Sequence, residues 1–104
     1  MISTGPLLFA ASSLPASGTI FLDGGGSGPV RIVVKNVGAN VLTTCEVDGG
    51  PDSDHLAPLD TSTFSALAAG ATKQLWLDRP IHVLALLPVG NTTLDLTVTS
   101  STRP

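Results

Sequence analysis

The sequence predicts an all-β fold: a small β-sandwich, Ig-like or jelly-roll-like, of about seven to eight short antiparallel strands with an extended N-terminal arm. Three observations predict it. Glycine and proline number 11 and 8 of 104 residues and are spread along the whole chain, and both interrupt helices. The runs between them are rich in Thr, Val, Leu and Ile, which favour a pleated surface. Turn signals recur at intervals of about ten residues, the rhythm of a sandwich or barrel.

The elements follow in order. Met1 to Ser17 holds Gly5, Pro6, Pro15 and several serines around one apolar patch, Leu7-Leu8-Phe9. It reads either as an arm that reaches a partner or as an edge strand of its own sandwich. The sandwich domain runs from Gly18 to Ser100, and Ser101 to Pro104 is a polar tail. Gly18 to Leu22 is the first short strand, and Asp23-Gly24-Gly25-Gly26-Ser27-Gly28-Pro29 is a loop by composition. Val30 to Lys35 alternates, with Val30, Ile32 and Val34 on one face and Arg31 and Lys35 on the other. Asn36 to Asn40 reads as a hairpin connection to a return strand, Val41 to Val47.

Asp48 to Pro58 is a long acidic loop, followed by an expected strand at Thr61 to Leu67. Thr72 to Leu77 and Ile81 to Leu87 are strands separated by Asp78-Arg79-Pro80. Ile81 to Leu87 is apolar on both faces except at His82, so it is either a central strand or an interface strand. Pro88 to Asn91 is a turn, and Leu94, Leu96 and Val98 alternate with Thr93, Asp95, Thr97 and Thr99 in the last strand. The expected core is Ile32, Val34, Phe64, Leu75, Leu77, Val83, Ala85, Leu94, Leu96 and Val98.

Composition narrows the function. The chain is 42% hydrophobic and only 12% charged, against about a quarter charged in ordinary soluble domains. That balance argues against disorder and for a surface partly covered by a partner, expected to be further copies of the chain, most simply a homotrimer. A net charge of −3 with five scattered Lys and Arg residues offers no attraction to a phosphate backbone, so no nucleic-acid partner is expected. No stretch approaches the roughly 18 apolar residues of a membrane span, and the first 17 residues lack the positive start of a signal peptide. A single cysteine, Cys45, forms no disulfide within the chain and lies in an alternating apolar run, where a buried inert thiol is expected. Synthesis in a reducing cytoplasm follows.

No grouping supports catalysis. The glycine run lacks the Lys-Ser/Thr of a phosphate-binding loop and a following helix. Asp48, Asp52, Asp54, His55 and Asp60 could offer hard oxygen ligands to calcium, but their spacing matches no EF-hand and no glutamate closes the site; a solvated loop is expected and no cofactor. With two histidines and no Gly-x-Ser-x-Gly motif, the chain offers no nucleophilic triad. It is therefore read as a non-enzyme. Trp76 faces outward with Gln74, opposite to Leu75 and Leu77, where an interface or a stacked sugar would suit it. Leu7, Leu8, Phe9, Trp76 and His82 are the expected partner-binding residues.

The order of motifs from Val30 to Ser100 resembles small β-sandwich virion proteins of tailed bacteriophages, especially head decoration or cement proteins. The residues that carry it are Val30 to Lys35, Asn36-Val37-Gly38, Leu67-Ala68-Ala69-Gly70-Ala71-Thr72, Leu75-Trp76-Leu77, Ile81 to Ala85 and the Thr-rich closing strand. The resemblance implies a virion protein that binds the major capsid protein on the outside of the head, clamping neighbouring subunits, often as a trimer. Val30 to Val41 is also similar to adhesion-type Ig-like modules of secreted bacterial proteins. Two other roles stay open: a neck, tail or fibre component, and a cell-surface or carbohydrate-binding module.

Overall fold

The computed structural model describes residues 3–23, 29–77 and 82–102, and of 3–9, 23 and 100–102 the backbone alone. The loop from Gly24 to Gly28 and the connection from Asp78 to Ile81, both singled out in the sequence, lie outside the described residues. The strands are β1 (Ser3–Pro15), β2 (Ile20–Asp23), β3 (Val30–Asn36), β4 (Leu42–Gly50), β5 (Ala57–Asp60), β6 (Thr72–Leu77), β7 (Val83–Gly90) and β8 (Thr93–Thr102). They form two four-stranded sheets: sheet A in the order β1-β8-β3-β6 and sheet B in the order β2-β7-β4-β5. Every pairing is antiparallel. The expected β-sandwich is thus the fold, and its strand order is that of an eight-stranded jelly roll.

Alternation builds the core between the sheets. Val30, Ile32 and Val34 of β3 and Leu94, Leu96 and Val98 of β8 point inward from sheet A, and all are buried. Leu84 and Leu86 of β7 and Leu42, Cys45 and Val47 of β4 meet them from sheet B. Phe64 and Leu67 close the core from the segment between β5 and β6.

Five expectations are corrected. First, the N-terminal segment is not a separate arm: Ser3–Pro15 runs along β8 as the edge strand of its own sheet, from Ser3↔Thr102 to Pro15↔Thr93. The long β8 offers it a free edge, and three register shifts absorb its irregular sequence. Second, Asn36 to Asn40 is not a hairpin, because β3 lies in sheet A and β4 in sheet B; the loop crosses the sandwich. Third, Thr61 to Leu67 is not a strand. Asp60 folds it into turns by accepting the N–H groups of Ser62 (3.1 Å) and Thr63 (2.8 Å) and the Thr63 hydroxyl (2.8 Å), and only a bridge at Leu67 to Leu42 remains. The strand lies earlier, as β5, beginning at the end of the expected acidic loop.

Fourth, β7 presents Leu84 and Leu86 to the core rather than Val83, which is half-buried on the outer side. Ala85 is buried, but on that outer side, flanked in register by Phe21 and Asp48. Fifth, His82 is not within a strand: it is exposed in a bend just before β7. From Val83 on, the doubly apolar run is a central strand between β2 and β4, the first of the two readings the sequence allowed, so its pattern does not require a protein partner.

One end of the sandwich is tied by Asn36, the one buried polar residue of the described core. Its side-chain N–H₂ donates to the carbonyls of Asn40 (2.8 Å) and Leu67 (3.0 Å). Its side-chain oxygen accepts from the Gly38 N–H (3.1 Å) and the Thr92 hydroxyl (2.6 Å). A fully paired amide is tolerated in a core, and here it joins three separate loops. Gly38 must be glycine for this packing, since a Cβ there would collide with the Thr92 side chain and the Thr93 backbone nitrogen.

Candidate functional site

The outward residues of sheet A form a polar face organised in transverse rows. In the first, Trp76 of β6 stands opposite Arg31 of β3 and Arg31 opposite Thr99 of β8, whose backbone pairs with that of Leu7 in β1. The next row runs Gln74, Val33, Thr97, Ala10, and a third runs Thr72, Lys35, Asp95. Rows two residues apart lie roughly 6.5–7 Å from one another, with strands about 4.8 Å apart.

Trp76 dominates this face. It keeps 42% of its surface exposed, and the Arg31 guanidinium carbon lies 5.7 Å from its ring centroid, within cation–π range. Since β6 is the edge strand, the ring has no neighbouring strand on its other side among the described residues. Arg31 Nε and Thr99 Oγ1, adjacent in register, are both buried and have no hydrogen-bond partner among the described residues. Asp95, the acid of the third row, accepts the Ser13 N–H at 2.9 Å.

The other expected partner-binding residues do not converge on Trp76. Leu7, Leu8 and Phe9 lie in β1 at the opposite edge of sheet A; only Leu7 shares the Trp76 row, three strands away. His82 belongs to the approach to sheet B. The residue that sequence reasoning missed is Arg31. Alternation put it on the outer face, but only the non-local pairing of β3 with β6 sets it beside Trp76.

The acidic segment has structural work. Asp52 Oδ1 accepts the Asp54 N–H (2.9 Å) and lies 2.7 Å from His55 Nδ1; the His55 ring first, then the Asp54 N–H, hold its carboxyl below the usual range. Burial pushes the Asp60 carboxyl up, but the Thr63 N–H and hydroxyl and the Ser62 N–H outweigh it and leave it below its usual value. Among the described residues no three His, Cys, Asp or Glu side chains group as metal ligands. Cys45 is fully buried, and burial first, then the charge of Asp60, pushes its thiol up to about 12, which leaves it unreactive as a nucleophile. A shallow cavity of about 510 Å³ lies between Ala16–Gly18 and Pro88–Asn91 and has no charged or aromatic lining.

No protein-family model matches the sequence, and no curated protein matches it. Among solved structures the chain is similar to the CBM32 of AlyQ in complex with 4,5-unsaturated mannuronic acid, with a TM-score of 0.57 and 15% identity over 94% of this chain and 97% of that one. A mutant of CBM29-2, from work on ligand recognition by Family 29 carbohydrate-binding modules, has a TM-score of 0.44 and 12% identity over 96% of this chain and 79% of that one. The first likeness shows a shared β-sandwich fold.

Proposed function

We propose that this chain is a non-catalytic carbohydrate-binding module that takes its ligand on the outer face of sheet A, with Trp76 as the stacking platform. The observation that carries this reading is the exposed Trp76 ring on an open sheet face, held by Arg31 at 5.7 Å. An aromatic ring offers a large rigid apolar plane, suited to the C–H face of a pyranose. Around it the hydroxyl of Thr97 and the amide of Gln74 lie on the same face, where they can exchange hydrogen bonds with sugar hydroxyls. The absence of tyrosine makes Trp76 the principal contact. The fold shared with the CBM32 of AlyQ is compatible with this reading but does not carry it, because one sandwich serves many functions. The capsid-decoration expectation rests on a resemblance of motif order from Val30 to Ser100 and on composition, and jelly rolls serve capsids and lectins alike.

The test is retention on a panel of insoluble polysaccharides, sedimented with wild-type chain and with Trp76→Ala. The reading expects wild type to sediment with at least one polymer and Trp76→Ala to stay in solution with its thermal melting unchanged. Wild type that sediments with none, or a variant that sediments equally, contradicts it.

A further inference from the structure

Charge is divided between the two sheets. All three described Lys and Arg residues, Arg31, Lys35 and Lys73, lie on β3 and β6 of sheet A. Of the described acids only Asp95 lies on sheet A; Asp23, Glu46, Asp48, Asp52, Asp54 and Asp60 belong to sheet B and its loops. On the outer face of a chain with a net charge of −3, Arg31 and Lys35 thus stand beside the exposed tryptophan with one acid, Asp95.

Those cations are not used internally. Among the described residues the ion pair is between His55 and Asp52, so Arg31, Lys35 and Lys73 balance no carboxylate there. Asp95 stands opposite Lys35 in register and is the one described acid on that face; its Oδ1 accepts the Ser13 N–H, and no ion pair joins it to Lys35 among the described residues. Arg31 is held against the Trp76 ring, and a guanidinium ordered on an aromatic plane is prepared to grip a planar carboxylate. Lys35 follows Arg31 by four residues on the same outer face, about 13 Å along the strand. Lys73, exposed at the β6 edge, stands opposite the inward Val34 in register, so it projects from the other side of sheet A and the outer face carries Arg31 and Lys35.

We infer that the ligand of the Trp76 face is an anionic, carboxylate-bearing polysaccharide, whose sugar ring stacks on Trp76 while its carboxylates meet Arg31 and Lys35. This inference rests on the reading of sheet A as a carbohydrate-binding face. A neutral glycan would leave the cations unanswered. Nucleic acid fits less well, since two cations and one exposed tryptophan on this face make a small footprint for a phosphate backbone.

Affinity electrophoresis of the whole chain separates the possibilities, using native gels that contain a polyuronate, its methyl-esterified neutral form, or no polymer. The expected result is retardation by the polyuronate and little by the ester. Arg31→Gln should weaken binding about tenfold, as loss of a charge-assisted contact implies, and Arg31→Lys should keep part of it. Retardation should fall as ionic strength rises from about 0.01 M to about 0.15 M, which shortens the screening length from about 30 Å to about 8 Å. Equal retardation in both polymer gels, abolished by Trp76→Ala and unmoved by Arg31→Gln, overturns the inference and leaves the carbohydrate reading standing. No retardation in either gel, with no polysaccharide retained in the sedimentation panel, overturns both. Displacement from the polyuronate by a single-stranded oligonucleotide at lower concentration than by free polyuronate also overturns the inference.

Discussion

At the residue scale, two polar side chains show how few groups define this sandwich. Asn36 is buried with both amide groups paired. Asn36→Asp keeps the shape but sets a carboxylate oxygen against the carbonyls of Asn40 and Leu67, so it should destabilise the fold more than Asn36→Ala. The alanine change is expected to cost about 2–3 kcal/mol in urea unfolding at neutral pH; an aspartate variant as stable as wild type would contradict the assignment. Asp60 predicts the acid limit. Its folded pKa is lowered, so its contribution is complete above the unfolded value of about 3.9 and is lost as pH falls through the folded value. Thermal melting followed below about pH 4 should therefore drop less steeply in Asp60→Asn than in wild type. The outward direction of Trp76 was legible from alternation with Leu75 and Leu77. Its partnership with Arg31 was not, because β3 and β6 are some forty residues apart in sequence and no local pattern encodes which strands pair.

At the scale of the element, β8 shows where sequence reading works. Strict alternation from Thr93 to Thr99 put Leu94, Leu96 and Val98 in the core, where all three are buried. Leu96→Ala is expected to cost roughly 2–4 kcal/mol in denaturant unfolding, and a near-neutral result would mean the wrong face was assigned. β7 shows where it fails: a run apolar on both sides carries no phase, and its inward face is set by its neighbours β2 and β4. The segment after Asp60 fails for another reason, since the Asp60 carboxylate competes for backbone N–H groups and turns the chain before a strand can form. The N-terminal segment tests element membership directly. As β1 it supplies one edge of sheet A, and Leu14 packs on the core. Deleting Met1 to Pro15 should lower the melting temperature of the isolated chain; unchanged stability would restore the free arm.

At the scale of the whole molecule, a jelly roll leaves two outer faces for partners, and here they differ. Sheet A carries Trp76, Arg31 and Lys35, whereas sheet B carries Glu46, Asp48 and the exposed Phe21 and Val89. Fold alone does not choose between a shell protein and a sugar-binding module; the proposed reading rests on the chemistry of the faces. Because Trp76 is the sole tryptophan, its fluorescence reports on the proposed site and on nothing else. Titration of the chain with the soluble form of a polysaccharide it retains is predicted to give a saturable change in Trp76 emission, with a shift to shorter wavelength as the ring leaves water, and Arg31→Gln should move the midpoint to higher polymer concentration. Retention of the polymer with tryptophan emission unchanged at saturation would place the ligand elsewhere and contradict the account.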